Sequence, residues 1–580
     1  MSDQIKIDTR DTFKKGFDFL FSAGGALVGL GNLWRFPYLC YENGGGAFLI
    51  AYFIFVAIVA LPMVFLETSI GQITRIGQFK AWNMFPLLRG VGLASGVILL
   101  YCNIYYPVIL AWALRYLVAS FHSQLEWTHC NNEYNSPDCF SILNVTNVTL
   151  NENATSSVTE FWERSILHKS SGIDEVGSVQ WRLYLCLAVV WILCYFCIWK
   201  GVRWTAKIVY FTATAPIIMI IIMIVRGATL DGAANGITYY LRPEMSELAN
   251  IKVWMAAASQ VIYSYGICFG ALVCLGSYNK IKHNCLRDSL LLLVVNSGAS
   301  FLSGFAVFSV LGFMAKAQNT TVEAVAESGP GLVFLVYPHA LSLLPIPQFW
   351  CVLFFLTLIL LGFDGQFVYL ESWTTGVMDF FPRVKSFRFG KELFIASASF
   401  IMCVIGITMT TEGGIYVFNL IDNFAAAGWS TTTLCVFEAL AGGWIGRDAY
   451  LACLGKMLNR GPRALLYFKY FWRYVTPASL TVMVICTLYF YQPATYNKEY
   501  VYPPWAQYLG ISITCSSIIW VPTIAIYDLV TATGTLQSRL KRACHLPEYV
   551  SENLTAKLTR ENKTHKPGVN VTMNELKELI

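Results

Sequence analysis

Long apolar runs separated by short polar connections make up most of the chain. The runs are apolar on all sides, so neither a two-residue sheet alternation nor a one-sided helical stripe describes them. A helix that crosses a bilayer needs about 20 mainly apolar residues. Twelve runs meet that length: 17–41, 46–68, 91–117, 183–200, 206–226, 253–277, 287–315, 347–370, 393–411, 415–445, 472–493 and 505–530. They are referred to below as spans 1 to 12. The pattern predicts an all-α polytopic membrane protein. The even number of spans puts both termini on one side.

Composition supports this reading. Charged residues are 13% of the 580, against roughly 25% in soluble proteins. Hydrophobic residues are 56% and mean hydropathy is +0.52. This excludes a disordered chain and an ordinary cytosolic enzyme. The net charge of +6 is spread out and does not form the clustered stripe of a nucleic-acid binder. The polar start up to Lys15, and Arg35 inside the first run, argue against a cleaved signal peptide.

Basic residues near the span ends set the orientation. They recur before span 1 (Arg10, Lys14, Lys15) and after spans 2, 4, 6, 8 and 10 (for example Arg75, Lys207, Lys280, Arg383 and Lys456). Those loops and both termini are expected to be cytoplasmic. The loop 122–182 then faces outward. It carries Cys130 and Cys139 in a polar stretch, and glycosylation sequons at Asn144, Asn147 and Asn153. A disulfide and glycans both belong on the outer side, which agrees with the charge pattern. The expected organisation is a cytoplasmic segment 1–16, a membrane domain 17–530 and a polar cytoplasmic tail 531–580.

Two spans read as broken. Span 1 holds Gly24, Gly25, Gly29 and Gly31; span 6 holds Ser264, Tyr265, Gly266 and Gly270. Freed backbone groups at membrane depth need partners, and ions or substrate can serve. Matched breaks in two halves of a chain mark the binding site of an inverted-repeat transporter. The bland alternative is glycine for close helix packing. Ionisable groups inside spans cost roughly 2.5–3.5 kcal/mol each on insertion scales. Asp364 in span 8, Arg35 in span 1 and Glu438 in span 10 are the exceptions that invite a role. A deep carboxylate among hydroxyls and carbonyls suits a hard cation such as sodium. Arg35 and Glu438 suggest a gate over substrate, or a static structural pair.

These residues lie in blocks that resemble the neurotransmitter:sodium symporters. The blocks are GLGNLWRFPYLCYENGGGAF (29–48), SYGICFGALVCLGSYNK (264–280), NSGASFLSGF (296–305), ESGPGL (327–332) and LGFDGQF (361–367). The likeness runs from Arg10 to span 12 and is nearest to the branch that carries GABA, taurine, betaine and creatine. It implies a LeuT-type fold, a 5+5 inverted repeat with discontinuous helices 1 and 6. It implies a first sodium site at Leu27, Asn32, Ser264 and Asn296, and a second at Gly25, Val28, Leu361 and Asp364. It implies a chloride site at Tyr52, Gln260, Ser264, Asn296 and Ser300. Chloride-independent bacterial relatives carry a carboxylate where Ser300 stands. The neutral hydroxyl leaves a charge deficit beside sodium, which chloride can fill.

The resemblance also implies the substrate contacts: Ala26, Gly29, Gly31, Cys102, Tyr106, Tyr263, Gly266 and Phe269. Monoamine carriers have aspartate at Gly29; with glycine, a substrate that brings its own acid group is expected. Cys102 and the segment 126–139 resemble creatine carriers, the latter taurine carriers as well. An inner gate of Arg10 and Asp379, supported by Tyr278, is implied too. Departures from the pattern are Gly365 for a sodium-ligating serine, Leu27 for alanine, Ala26 for tyrosine, Tyr263 for phenylalanine and Ala51 for proline. They leave the substrate open among creatine, taurine, GABA and betaine-like zwitterions, or another neutral amino acid. A substrate-gated channel or receptor of the same fold is the rival class. An enzyme fits poorly: there is no H-E-x-x-H, Walker A loop or nucleophile triad.

Overall fold

The computed structural model describes residues 10–141, 154–322, 331–426, 428–497 and 500–564. Among them, eight unbroken helices are long and apolar enough to cross a bilayer. They are Gly46–Thr74, Pro86–Ala119, Trp181–Ile198, Trp204–Ala228, Cys285–Ala317, Pro347–Phe380, Gly390–Thr410 and Arg463–Tyr489, corresponding to spans 2, 3, 4, 5, 7, 8, 9 and 11. Span 12 is a pair, Pro504–Ile518 and Trp520–Thr531, bent by 41°. Spans 1, 6 and 10 are interrupted, which completes the twelve. Several helices outrun their apolar stretch. Span 8 continues to Phe380 because its last turns (Glu371, Thr374, Thr375, Asp379) are polar but still helical.

The interruption in span 1 falls between Asp18–Leu27 and the wide turn Gly31–Arg35 that leads into Phe36–Glu42. That in span 6 separates Ile251–Ser264 from Ala271–Ser277. Gly266 and Gly270 take φ of 55° and 72° there, a region open to glycine without a Cβ penalty. The hydropathy pattern did not reveal the third break, in span 10. There Gly414–Ile421 gives way to a wide turn at Asp422–Ala426 before Trp429–Leu440 resumes.

Spans 3 and 8 pack along each other and are mostly buried, whereas spans 5 and 11 present most of their surface outward. The first half of span 1 lies against spans 5, 7 and 8, and the second half of span 6 against span 2. A Cβ on Gly71 would stand 2.0 Å from the Val273 carbonyl oxygen, and one on Gly276 would stand 2.4 Å from that of Thr68. These two glycines let the backbones of spans 2 and 6 touch.

In the loop between spans 3 and 4, Cys130 and Cys139 are joined, with Cα atoms 5.8 Å apart. Glu160 organises this loop. It accepts from Asn135 at 2.9 Å, the Ser136 amide at 3.0 Å and Thr155 at 2.7 Å, and also from the Ser136 hydroxyl. Burial alone would raise its carboxyl, but these hydrogen bonds hold it below the usual carboxylate range. The sequons at Asn144, Asn147 and Asn153 lie outside the described residues.

Candidate functional site

The two breaks meet at the centre of the bundle. Helix 1 ends at Val28, whose ψ of 82° turns the chain out of helix. The freed Gly29 amide is held by Asn32 Oδ1 at 3.2 Å. Asn32 Nδ2 in turn donates to Asn296 Oδ1 at 2.7 Å and Ser300 Oγ at 2.8 Å. Asn296 Nδ2 donates to Ser264 Oγ at 2.9 Å, which reaches the edge of the span 6 break. Gln260 Nε2 donates to the Gly31 carbonyl at 3.2 Å, while its buried Oε1 has no hydrogen-bond partner among the described residues.

Tyr52 and Tyr265 converge on Ser297 Oγ at 3.4 and 2.6 Å, and Tyr52 also faces Ser264 and Ser300. The structure thus links Asn32, Tyr52, Ser264, Asn296 and Ser300 in one buried network without a formal charge, and Gln260, also buried, bonds the backbone of Gly31 next to Asn32. Neutral amide and hydroxyl groups of this kind offer oxygens to a cation and N–H or O–H donors to an anion.

A second cluster surrounds Asp364, which is 1% exposed. The Thr212 hydroxyl from span 5 donates to its carboxylate. Its Oδ2 lies 2.8 Å from where a Cβ on Gly25 would stand, so the glycine is what admits the carboxylate against the backbone of span 1. Leu361, one turn before Asp364, and Val28 are both buried.

The space between the two clusters is cleared by glycines on facing spans. A Cβ on Gly29 and one on Gly365 would each stand 3.3 Å from the Tyr106 hydroxyl, with the Ala26 carbonyl nearby at 4.0 and 3.7 Å. That hydroxyl also meets the backbone of Leu30. Rings set edge to face make the wall: Tyr106–Tyr369 at 6.0 Å, Tyr369–Phe269 at 5.7 Å and Phe269–Tyr263 at 6.3 Å between centroids. Gly31 leaves room for Tyr263, and Gly266 faces the Tyr369 hydroxyl. Cys102 is buried beside Tyr105 and Tyr369.

Outside this chamber, the Arg35 guanidinium lies 4.4 Å over the Tyr263 ring and donates to Ser259 Oγ at 3.2 Å. The carboxylate that faces it is Asp422, which also receives the Tyr105 hydroxyl. The expected pairing of Arg35 with Glu438 is not made: Glu438 lies beside Glu67 and Cys268 instead. The two acids stand 16 residues apart on span 10, about 24 Å of helix, so they lie at different depths: Asp422, in the wide turn, is level with Arg35, and Glu438, in Trp429–Leu440, is level with Glu67. At the end of the bundle where span 1 begins, Arg10 and Asp379 pair at 2.7 Å, with Arg10 4.8 Å over the Tyr278 ring. Tyr278 donates to Glu371 at 3.2 Å, and the Gly77 amide adds a hydrogen bond to Asp379 at 2.7 Å.

The profile of the sodium:neurotransmitter symporter family matches residues 10–532. This chain belongs to that family. Among its relatives, the sodium- and chloride-dependent taurine transporter of Canis lupus familiaris is 48% identical over 539 residues, 92% of this chain and 87% of that one. The sodium- and chloride-dependent GABA transporter 2 of Rattus norvegicus is 45% identical over 559 residues, 95% of this chain and 92% of that one.

In this symporter, several residues of the site went unnoticed in the sequence. Thr212 lies two residues from Thr214 in an apolar run, and Ser297 lies among the small and polar residues of the NSGASFLSGF block; neither hydroxyl by itself names its partner. Tyr369 follows the LGFDGQF block by two residues and looks like any buried aromatic. Asp422 was open to detection, as an acid followed six residues later by glycine in an apolar run.

Proposed function

We propose that the chain imports a small zwitterion across the plasma membrane by symport with sodium and chloride. The observation that carries this reading is the approach of Asp364 to the broken backbone of span 1 at Gly25, one carboxylate among freed carbonyls at membrane depth. Asp364 with the carbonyls of Gly25, Val28 and Leu361 would hold one sodium ion. Asn32, Ser264, Asn296 and the Leu27 carbonyl would hold a second. Chloride would sit among Tyr52, Gln260, Ser264, Asn296 and Ser300, supplying the negative charge that this neutral network lacks.

The substrate's acid group would lie beside the Tyr106 hydroxyl, in the space that Gly29 and Gly365 leave. Gly29 offers the amine no carboxylate, so charge balance favours a carboxylate or sulfonate on the substrate itself. The printed names of the relatives, taurine and GABA transporters, agree with that chemistry; creatine and betaine share it. Arg35 and Asp422 would close the outer side over the substrate, and Arg10 with Asp379 the inner side. Both termini would be cytoplasmic.

Replacing Asp364 with Asn tests the assignment. Removing one partner of a buried charge pair costs about 3–5 kcal/mol, so sodium-dependent uptake should fall by about a hundredfold or more at unchanged surface level. Uptake within a few-fold of the original would refute the role of Asp364.

A further inference from the structure

The break in span 6 touches a second buried cluster that the ion and substrate assignments do not use. Glu67 from span 2 and Glu438 from span 10 are 0% and 1% exposed. Together with Cys268 in the break, each offers a ligating atom within 4.8 Å of the others. Glu67 Oε1 accepts the Cys268 amide at 2.7 Å. Cys268 is a non-glycine residue at φ 71°, a strained conformation that needs outside support. An ionised acceptor supplies it, because hydrogen bonds to charged groups are roughly twice as strong as neutral ones.

The remaining oxygens are unexplained. Among the described residues, neither Glu67 Oε2 nor Glu438 Oε2, both buried, has a hydrogen-bond donor. The ionisable groups that face the pair are Cys268 from span 6 and Cys435, one turn before Glu438 on span 10. Neither is a cation. Two carboxylates this close and out of water cannot both stay ionised. A single proton between them turns the repulsion into an O–H···O hydrogen bond and gives the orphaned oxygens partners. It also leaves Glu67 anionic for the Cys268 amide.

We propose that Glu67 and Glu438 form a proton-binding site in which Glu438 carries the proton and donates it to the Glu67 carboxylate. The site ties spans 2 and 10 to the linker between the half-helices of span 6. When the proton passes to water, two like charges face each other and the linker is released. Proton binding thereby sets how firmly the break is held, in addition to the proposed sodium and chloride coupling.

Infrared spectroscopy of the purified full-length protein through an alkaline titration reads the proton directly and needs no substrate, so it stands apart from the proposed function. At neutral pH a protonated-carboxyl C=O band is expected that Glu438→Gln removes and Glu438→Asp, which keeps an acid, retains. The second variant decides the matter if the amide variant misfolds. In cells, taurine uptake is the probe. Wild-type uptake is expected to fall as pH rises, and Glu438→Gln to flatten that profile whatever its height. Glu67→Gln removes the anion that holds Cys268 and is expected to cost about tenfold or more at equal surface level. An unchanged carboxyl band in Glu438→Gln, parallel alkaline loss in both proteins, or wild-type uptake in Glu67→Gln would overturn the proposal. So would inhibition by Cd2+ that requires Glu438, with no carboxyl band: the pair would then hold a metal ion.

Discussion

Arg10 and Asp379 are joined at 2.7 Å at the end of the bundle where span 1 begins, with the Arg10 guanidinium over the Tyr278 ring. The same guanidinium lies 3.9 Å from the thiol of Cys274, which is fully buried beneath it. At the other end of the chamber, the Arg35 guanidinium donates to Ser259 Oγ at 3.2 Å. If the Arg10–Asp379 pair is the inner gate, Arg10→Ala should expose Cys274 to an impermeant thiol reagent applied from the cytoplasm. The rate should rise by about tenfold or more, and the added labelling should vanish in Arg10→Ala with Cys274→Ser. Equal labelling before and after the substitution would show that something else closes the inner side.

Tyr369 fills the wall between Tyr106 and Phe269, and its hydroxyl faces Gly266. Tyr369→Ala is expected to enlarge the chamber. Removing a buried aromatic costs about 3–5 kcal/mol of packing, so some loss of surface protein is anticipated. Among molecules that reach the surface, KM for the smallest substrates should rise and larger zwitterions should begin to be carried. An unchanged substrate profile would place Tyr369 in structural packing alone.

Much of this architecture was legible in the chain. Long apolar runs marked the spans, and glycines 24–31 and 266–270 marked two of the three breaks. Asp364 stood out because a carboxylate deep in a span is rare. The pairing of charges was less legible. Which acid of span 10 meets Arg35 depends on a local turn at Asp422–Ala426, and hydropathy does not register a turn inside an apolar run. Glu438 and Asp422 are both carboxylates in that run, and they lie about 24 Å of helix apart, at different depths. Glu67 was passed over because one acid near the end of span 2 reads as ordinary, whereas its meaning comes from Glu438 and Cys268, distant in sequence. The hydroxyls of Thr212 and Ser297 acquire theirs from the groups they touch.

Ser300 lies 2.8 Å from Asn32 Nδ2 inside the uncharged network. Placing a carboxylate there by Ser300→Glu supplies the charge that chloride is proposed to bring. Uptake by that variant is expected to proceed equally with and without chloride, while wild-type uptake falls at least about tenfold on chloride removal, the size of one charge-assisted interaction. Unchanged chloride dependence in the variant would contradict the charge-balance argument.

The most direct test is uptake in cells expressing the full chain, measured with labelled taurine, GABA, creatine, betaine, glycine and other amino acids, with sodium or chloride replaced in turn. Saturable accumulation of at least one small zwitterion is expected, abolished without sodium and strongly reduced without chloride. Accumulation that persists without sodium, or substrate-evoked current far exceeding substrate flux, would contradict coupled symport.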